Sequence, residues 1–294
     1  MRAFLSILII CLSILSYAQS YPNLNYSETG SINLFYSDKV DDDAHFIAMM
    51  TQEANLFYAN TFGDLGIEVN LLVLNPTDWQ QHAIKGSIYG MPHFKSSENA
   101  IIVAAEDNPF WKVQLPDVNT IKAPHKDLLK LTYTMQDGSM SARNFFDLLA
   151  IHELAHLWSQ RGKRAIQRLW LEEMFCNLAL HTFIEEERSE WVGALTDLPS
   201  YHALNEEVKM KYTTLESFEA DYNKIALEAP QNYGWYQFRF HHAARLIYNQ
   251  GGKEVIKKLW DFLGKYKDKL SDVELKDKLA KEVHPYFKTL LEGW

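Results

Sequence analysis

The chain is poor in cysteine, with only Cys11 and Cys176 among its 294 residues. Cys11 lies in an apolar N-terminal stretch that we expect to be removed on export, which would leave a single thiol. An exported chain with one thiol cannot form an internal disulfide, so its stability must come from a packed core. The residues after Ala18 are numerous enough for one large domain, or for two lobes that share a cleft.

Positive charge is also scarce, because 29 lysines and arginines stand against 38 aspartates and glutamates and give a net charge of -9. The sequence shows neither a basic patch nor an aromatic-basic repeat, and this argues against nucleic acid or an anionic membrane as a partner. It also has no internal repeat and no low-complexity linker, so we expect closely packed lobes. The chain carries no pattern that predicts an oligomeric state.

The apolar stretch from Phe4 to Leu15 is shorter than the roughly 20 residues that a helix needs to cross a bilayer. Arg2 precedes it and Ser16-Tyr-Ala18 follows it, which is the three-part form of a secretory signal. We therefore expect a signal peptide over residues 1–18 and cleavage near Ala18. The mature chain would be secreted or periplasmic, with no transmembrane segment; a membrane anchor is the alternative.

The most informative pattern that is present is HExxH, formed by His152, Glu153 and His156. Residues four apart lie on one face of a helix, so both imidazoles can bind a single metal ion. Glu153 would lie beside that ion and polarise a water molecule without occupying the coordination sphere. The alternative is a pair of hydrogen-bonded core histidines, which is the more common reading of a lone histidine on an apolar face.

The residues around this motif predict a helix over residues 141–158. Apolar side chains recur there at helical spacing, Ser141 or Asn144 can cap the start, and Gly162 ends it. Both histidines then lie on the inward stripe of the helix.

A second helix, from Ile166 to about Ile184, is apolar on nearly every side, which is typical of a helix buried within a domain. An unpaired carboxylate inside it would cost several kcal/mol, whereas coordination to a divalent cation removes most of that cost. We therefore predict Glu173 as the third protein ligand of a tetrahedral zinc ion that keeps its fourth position for water. Glu172 is expected on the surface. The alternative for Glu173 is likewise an exposed carboxylate on the helix surface.

The two helices together resemble the gluzincin metallopeptidases, the group that includes thermolysin and the zinc aminopeptidases. The second motif of the aminopeptidases reads Trp-Leu-Asn-Glu-Gly-Phe-Ala, and this chain has Trp170-Leu-Glu-Glu-Met-Phe-Cys176. The resemblance implies one Zn²⁺ bound by His152, His156 and Glu173. It also implies that Asn177, four positions after the ligand glutamate, accepts a hydrogen bond from a zinc-bound imidazole.

The family mechanism further uses a tyrosine or histidine from a later helix to stabilise the oxyanion. The corresponding segment here is residues 232–248, which follow Pro230. Tyr233, directly before Gly234, is the leading candidate, and Tyr236 and His241 are reserves. Aromatic packing explains any one tyrosine of this segment equally well.

The aminopeptidase strand Gly-Ala-Met-Glu-Asn, which grips the substrate, has only a partial match in this chain. Residues 99–105 nevertheless predict a strand, and such a strand could bind an extended peptide by strand addition. Gly90, His93 and Glu98 are candidate contacts beside it.

The overall pattern predicts an α+β, zincin-like fold. A small mixed-sheet lobe, residues 19–160, packs on the HExxH helix that ends it, and a mostly helical lobe, residues 161–294, carries the third ligand, with the cleft between the lobes. Other expected elements are strands over 31–37, 67–74 and 84–89, a helix from Asp41 to about Thr61, and a capping box at Ser271 to Glu274.

These features predict a secreted zinc metallopeptidase that acts on a peptide or protein substrate. Glu153 would accept the proton of the attacking water and return it to the leaving amine, while Tyr233 stabilises the oxyanion. One alternative is a binding protein that keeps the gluzincin fold and a structural zinc without peptidase activity. The other is a zinc hydrolase of a non-peptide amide, ester or epoxide, which the same water chemistry permits.

Overall fold

The structure is a computed structural model that describes residues 21–205 and 209–294. The expected signal peptide, residues 1–18, lies outside these residues. Across the described ranges, no helix combines the length and the apolar character that crossing a bilayer requires.

A mixed sheet forms the N-terminal part of the described chain. Its strands follow the spatial order β1-β2-β3-β5-β4, with β2, β3 and β5 parallel and the two edge strands antiparallel to their neighbours. The interior strands are mostly apolar, and every residue of β5 is buried, as expected for a strand whose two faces are both covered. The five strands are β1 (Asn25–Thr29), β2 (Ile32–Tyr36), β3 (Val69–Leu74), β4 (His93–Lys95) and β5 (Ala100–Ala104).

Four helices accompany these strands in the described chain: α1 (Asp41–Phe62), α2 (Pro76–His82), α3 (Pro109–Lys112) and α4 (His125–Tyr133). Three acidic residues in the first turn of α1 oppose the positive end of its dipole, as the sequence predicts. The predicted strands over 31–37, 67–74 and 99–105 are confirmed as β2, β3 and β5.

The predicted strand over residues 84–89 is wrong, because these residues form a loop and the strand lies later, in β4. Gly86 and Gly90 adopt φ of 87° and 97°, a left-handed conformation that interrupts an extended chain. The loop is also held from within the fold, since the indole N–H of Trp79 donates to Ser87 Oγ at 3.1 Å. The short hairpin strand β1 is a further element that we did not predict.

The two predicted metal helices are confirmed as helices α5 (Arg143–Arg161) and α6 (Leu169–Glu187). The N-cap residue of α5 is Ala142, not Ser141 or Asn144, although Ser141 Oγ accepts the Arg143 N–H at 3.0 Å. Every residue of α6 from Trp170 to Ile184 is buried, which confirms the prediction of a helix inside the domain.

The rest of the described chain is helical: α7 (Val192–Leu204), α8 (Leu215–Glu228), α9 (Pro230–Gly251), α10 (Glu254–Lys265), α11 (Asp272–Lys278) and α12 (Tyr286–Glu292). Ser271 and Glu274 form the predicted capping box of α11. The α+β class with a small mixed sheet is therefore confirmed. The zincin arrangement and the boundary near residue 160 remain predictions, and one continuous apolar core includes residues on both sides of that boundary.

Three packing contacts position the site. Helix α5 packs against β4 and β5 on one side and against α6 on the other, and α6 packs against α9. Side chains from α5, α6 and α9 can therefore meet beside the edge strand β4.

Candidate metal centre

Three potential ligand atoms converge between α5 and α6. His152 Nε2 and His156 Nε2 lie 3.1 Å apart, as expected for residues one helical turn apart. Glu173 Oε2 lies 3.3 Å from the first nitrogen and 3.8 Å from the second. Tetrahedral zinc with bonds of about 2.0–2.1 Å separates its ligand atoms by about 3.3 Å. The two imidazoles and the carboxylate therefore fit a zinc ion in both chemistry and spacing.

The other ring nitrogen of each histidine also has a neighbour on α6. His152 Nδ1 lies 2.9 Å from Asn177 Oδ1, as the resemblance implies for a residue four positions after the ligand glutamate. A proton on Nδ1 that is donated to this amide leaves Nε2 as the metal-binding lone pair. His156 Nδ1 lies 3.6 Å from Glu172 Oε1. The expectation that Glu172 lies on the surface is wrong: it is buried, because its carboxylate is packed beside His156 of α5.

The neighbours of Glu173 stabilise its carboxylate in the ionised form. Burial alone would raise the pKa of Glu173, but its hydrogen bonds with His152 and His156 outweigh burial and hold the pKa well below its usual range. An ionised carboxylate beside two imidazoles is the form in which such a group binds a cation.

Cys176 is a competing donor, because its sulfur and one nitrogen from each of His152 and His156 all lie within 4.8 Å of one another. Burial raises the pKa of this thiol, so metal binding there would require removal of a tightly held proton. Within the described part of the chain, the side chains that line the neighbouring groove include Glu173 but not Cys176. Glu173 therefore remains the predicted third ligand.

An open groove of about 600 Å³ runs beside these atoms. Glu153 of α5 and Tyr233 of α9 both line it. Burial and the nearby Glu173 carboxylate raise the pKa of Tyr233, which keeps its hydroxyl protonated and able to donate a hydrogen bond. The two side chains predicted to carry the chemistry thus share this groove with two of the three predicted ligands, His156 and Glu173.

Tyr222 and Gln237 also belong to this site, and we did not predict them from the sequence. The Tyr222 hydroxyl donates to Glu173 Oε1 at 3.1 Å, and Gln237 Nε2 donates to Glu173 Oε2 at 2.9 Å. A buried carboxylate needs such donors, which is the only signal in the sequence that could have suggested them. Their position on α8 and α9 follows from packing alone.

The strand that borders the groove is β4 and not the predicted segment 99–105. Strand β5 pairs with β3 and β4 and so has both edges occupied. Among the described residues β4 is an edge strand, with β5 as its neighbour, and residues 91–94 and 96 line the groove. Of the described strands at this groove, only β4 is therefore placed to pair with a peptide.

The candidate contacts beside the predicted strand serve the fold. His93 Nδ1 lies 3.1 Å from the Met91 carbonyl, and its Nε2 accepts the Ile84 N–H at 3.2 Å, so both ring nitrogens are occupied at the groove wall. The Gly90 carbonyl accepts from the Trp111 indole, and Glu98 accepts from the Tyr21 hydroxyl. Of the described residues that line the groove, His93 is one, whereas Gly90 and Glu98 are not.

A second, apolar cavity of about 60 Å³ lies on the other side of Glu153, between α5 and α9. His241 lines it, and burial lowers the pKa of His241 well below its usual range. Tyr236 is not among the described residues that line either cavity, since its hydroxyl donates to the Thr214 carbonyl at 2.8 Å. The other side chains around this cavity are mostly apolar: Met91, Pro92, Phe110, Phe145, Phe146, Leu149 and Phe238.

Comparison with known proteins adds no further likeness: no protein-family model matches the chain, and no curated protein does. The resemblance to gluzincins consequently rests on the two motifs and on the side chains around them.

Proposed function

We propose that this chain is a zinc-dependent metallopeptidase whose ligands are His152, His156 and Glu173. The observation that carries the proposal is the convergence of three donor atoms, 3.1 to 3.8 Å from one another, beside an open groove that His156 and Glu173 line. Structural zinc sites usually fill all four positions with protein ligands, whereas catalytic sites use three and keep one open. The donor set is thus of the catalytic kind.

Zinc in such a site acts as a Lewis acid that acidifies water and polarises a carbonyl group. Glu153 lies in the same groove as an acceptor for the proton of the attacking water, and it returns that proton to the leaving amine. The Tyr233 hydroxyl donates a hydrogen bond to the oxyanion of the tetrahedral intermediate. Both roles require only groups that this chain brings to one cavity.

A peptide is the substrate that the groove favours over a small ester or amide. The edge strand β4 borders the groove, and an extended peptide can pair with the backbone of such a strand. The groove has a volume of about 600 Å³, which is within the range of ligand-binding clefts. We therefore propose peptide-bond hydrolysis within an extended chain segment.

Replacement of Glu153 by Gln tests the mechanism directly. The variant keeps all three proposed ligands, so its zinc content should equal that of the parent, while turnover should fall about 100- to 10,000-fold with loss of the acid-base group. Digestion of a peptide library, with mass-spectrometric mapping of the cleavage positions, measures turnover. Metal analysis of the same samples measures zinc.

Glu187→Gln is the matched control, because Glu187 is exposed at the end of α6. Equal cleavage by the Glu153→Gln variant and the parent would refute the mechanism. A parent that binds zinc and cleaves no peptide would support the binding-protein alternative, and cleavage restricted to esters or non-peptide amides would support the second alternative.

A further inference from the structure

Gln237 makes three hydrogen bonds that join the predicted oxyanion donor to the predicted metal ligands. Its Nε2 donates to the Tyr233 hydroxyl at 3.0 Å and to Glu173 Oε2 at 2.9 Å. Its Oε1 accepts from Asn177 Nδ2 at 3.3 Å. Two donated bonds and one accepted bond use both amide protons and fix the orientation of the amide group.

The first of these bonds determines what Tyr233 does with its proton. A phenol has one proton to donate, and the Tyr233 oxygen already accepts one from Gln237. Gln237 and Tyr222 also occupy the two oxygens of Glu173, which is the strongest acceptor near Tyr233. Each oxygen of Glu173 thus already accepts one hydrogen bond, and a Tyr233 proton that is not donated to this carboxylate is available to an oxyanion in the groove.

The third bond orients Asn177. An amide can present either its oxygen or its nitrogen to a neighbour, and only the oxygen can accept the proton of His152 Nδ1. Because Asn177 Nδ2 donates to Gln237, its Oδ1 is directed to His152, at 2.9 Å. Gln237 thereby also secures the tautomer in which His152 Nε2 is free to bind metal.

We propose that Gln237 is the positioning residue of this site, which directs the Tyr233 hydroxyl to the oxyanion and holds Asn177 and Glu173 in their metal-binding orientation. The inference rests on the proposed function, because the role of Tyr233 requires a reaction with an oxyanion. The proposal gives Gln237 no bond to the metal ion and no proton to transfer, although its side chain also lines the small cavity between α5 and α9. Its effect passes through Tyr233 and through the ligands.

The test is a double-mutant cycle with a metal-binding measurement. Gln237→Met keeps the length of the side chain and removes its hydrogen bonds, and Tyr233→Phe removes one hydroxyl. Loss of a group that orients metal ligands lowers metal affinity or activity about 10- to 100-fold, so kcat of Gln237→Met should fall by that factor with little change in KM. The same substitution in the Tyr233→Phe background should lower kcat by a clearly smaller factor.

Zinc affinity, measured by chelator competition, tests the role of Gln237 at the metal ligands and does not depend on catalysis. Gln237→Met should bind zinc about 10- to 100-fold more weakly, whereas Tyr233→Phe should bind it as the parent does. Gln250→Met, at the exposed end of α9, is the control for the substitution itself. If Gln237→Met fails to fold, as circular dichroism would show, Gln237→Glu keeps the size of the side chain and places an acceptor where Tyr233 and Glu173 need a donor.

Equal loss of kcat on Gln237→Met with and without the Tyr233 hydroxyl would overturn the role given to Gln237 at Tyr233. Unchanged zinc affinity in the Gln237 variants would overturn its role at the ligands. A parent chain that binds zinc tightly but cleaves no peptide would instead refute the proposed function, while the zinc measurements would still decide whether Gln237 orients the ligands.

Discussion

Glu173 and Cys176 lie three residues apart on α6, and both reach the imidazoles of His152 and His156. The two side chains differ in the free energy that is needed to ionise them before they can bind a cation. Glu173 is ionised within the cluster, whereas burial keeps Cys176 protonated. The carboxylate is therefore the better third ligand at neutral pH, although the thiol lies equally deep in the protein.

This difference predicts the zinc content of two variants. Glu173→Ala should lower zinc affinity by more than the roughly 10- to 100-fold that loss of an outer partner costs, because it removes a ligand. Cys176→Ser, which changes one buried atom, should keep zinc at about one ion per chain with affinity close to that of the parent. Metal analysis after equilibration with a chelator measures both. If Cys176→Ser lost zinc while Glu173→Ala retained it, the third ligand would be Cys176 and not Glu173.

Residue-scale prediction from the sequence worked where a motif position identified the residue. Asn177 is an example: the resemblance to gluzincins implied it from its position four residues after Glu173, and the structure brings it to His152. Glu172, Tyr222 and Gln237 had no such signal. Their roles depend on which side chains of α5, α8 and α9 pack opposite them.

Side chains of the two helices α5 and α9 together form the walls of the small apolar cavity. Leu149, one turn before His152 on α5, forms part of its wall, and Phe238 of α9 forms another part. With about 60 Å³ of space it is far smaller than a typical small-molecule pocket of about 300–1,000 Å³, so it suits a single side chain. Burial of that side chain beside Glu153 would favour an apolar residue next to the cleaved bond.

Leu149→Ala should widen this cavity and change the preferred substrate. We expect cleavage beside large aromatic residues to rise several-fold relative to cleavage beside valine or leucine, because an apolar pocket discriminates by about 1–3 kcal/mol per methylene. Peptide-library digestion measures the change. Leu131→Ala is the control, since Leu131 is 83% exposed on α4. An unchanged preference profile would show that the cavity does not contact substrate.

Among the elements, the long helices and the strands β2, β3 and β5 were predicted, whereas the edge strands β1 and β4 were not. Helices α5 and α6 have many turns, so their apolar periodicity is repeated often enough to be read. Strand β4 has three residues, too few for an alternation pattern, and it is defined by its pairing with β5. That short strand nevertheless borders the groove.

At the scale of the whole molecule, the base of α5 is fixed to its surroundings through Arg143. This guanidinium contacts Asp147 at 3.3 Å and Asp43 of α1 at 2.9 Å, and it also donates to the Ala105 carbonyl after β5. Burial nevertheless dominates at Asp147 and raises the pKa of this carboxyl to about 7 despite the nearby arginine. The folded protein therefore binds a proton there that the unfolded chain releases near pH 4.

This raised pKa predicts a loss of stability with increasing pH. The contribution of Asp147 is fully present below pH 4 and is lost as pH rises through about 7, because only the unfolded chain ionises freely over that range. Asp147→Asn cannot ionise, so its stability relative to the parent should increase between pH 4 and pH 8, by on the order of a few kcal/mol. Urea unfolding at the two pH values measures it, with Asp42→Asn, an exposed position on α1, as the control. A constant difference across this range would contradict the prediction.

The sequence by itself determined the properties that arise within a single helix. The HExxH spacing places His152 and His156 on one face of α5, and the apolar surround of Glu173 requires a buried helix, because helical geometry is local and repeats every few residues. The tertiary structure alone decided which strand edge borders the groove and which side chains hold Glu173, Asn177 and Tyr233. Those contacts join elements far apart in the chain, and they depend on how side chains of different helices pack together, which no local period encodes.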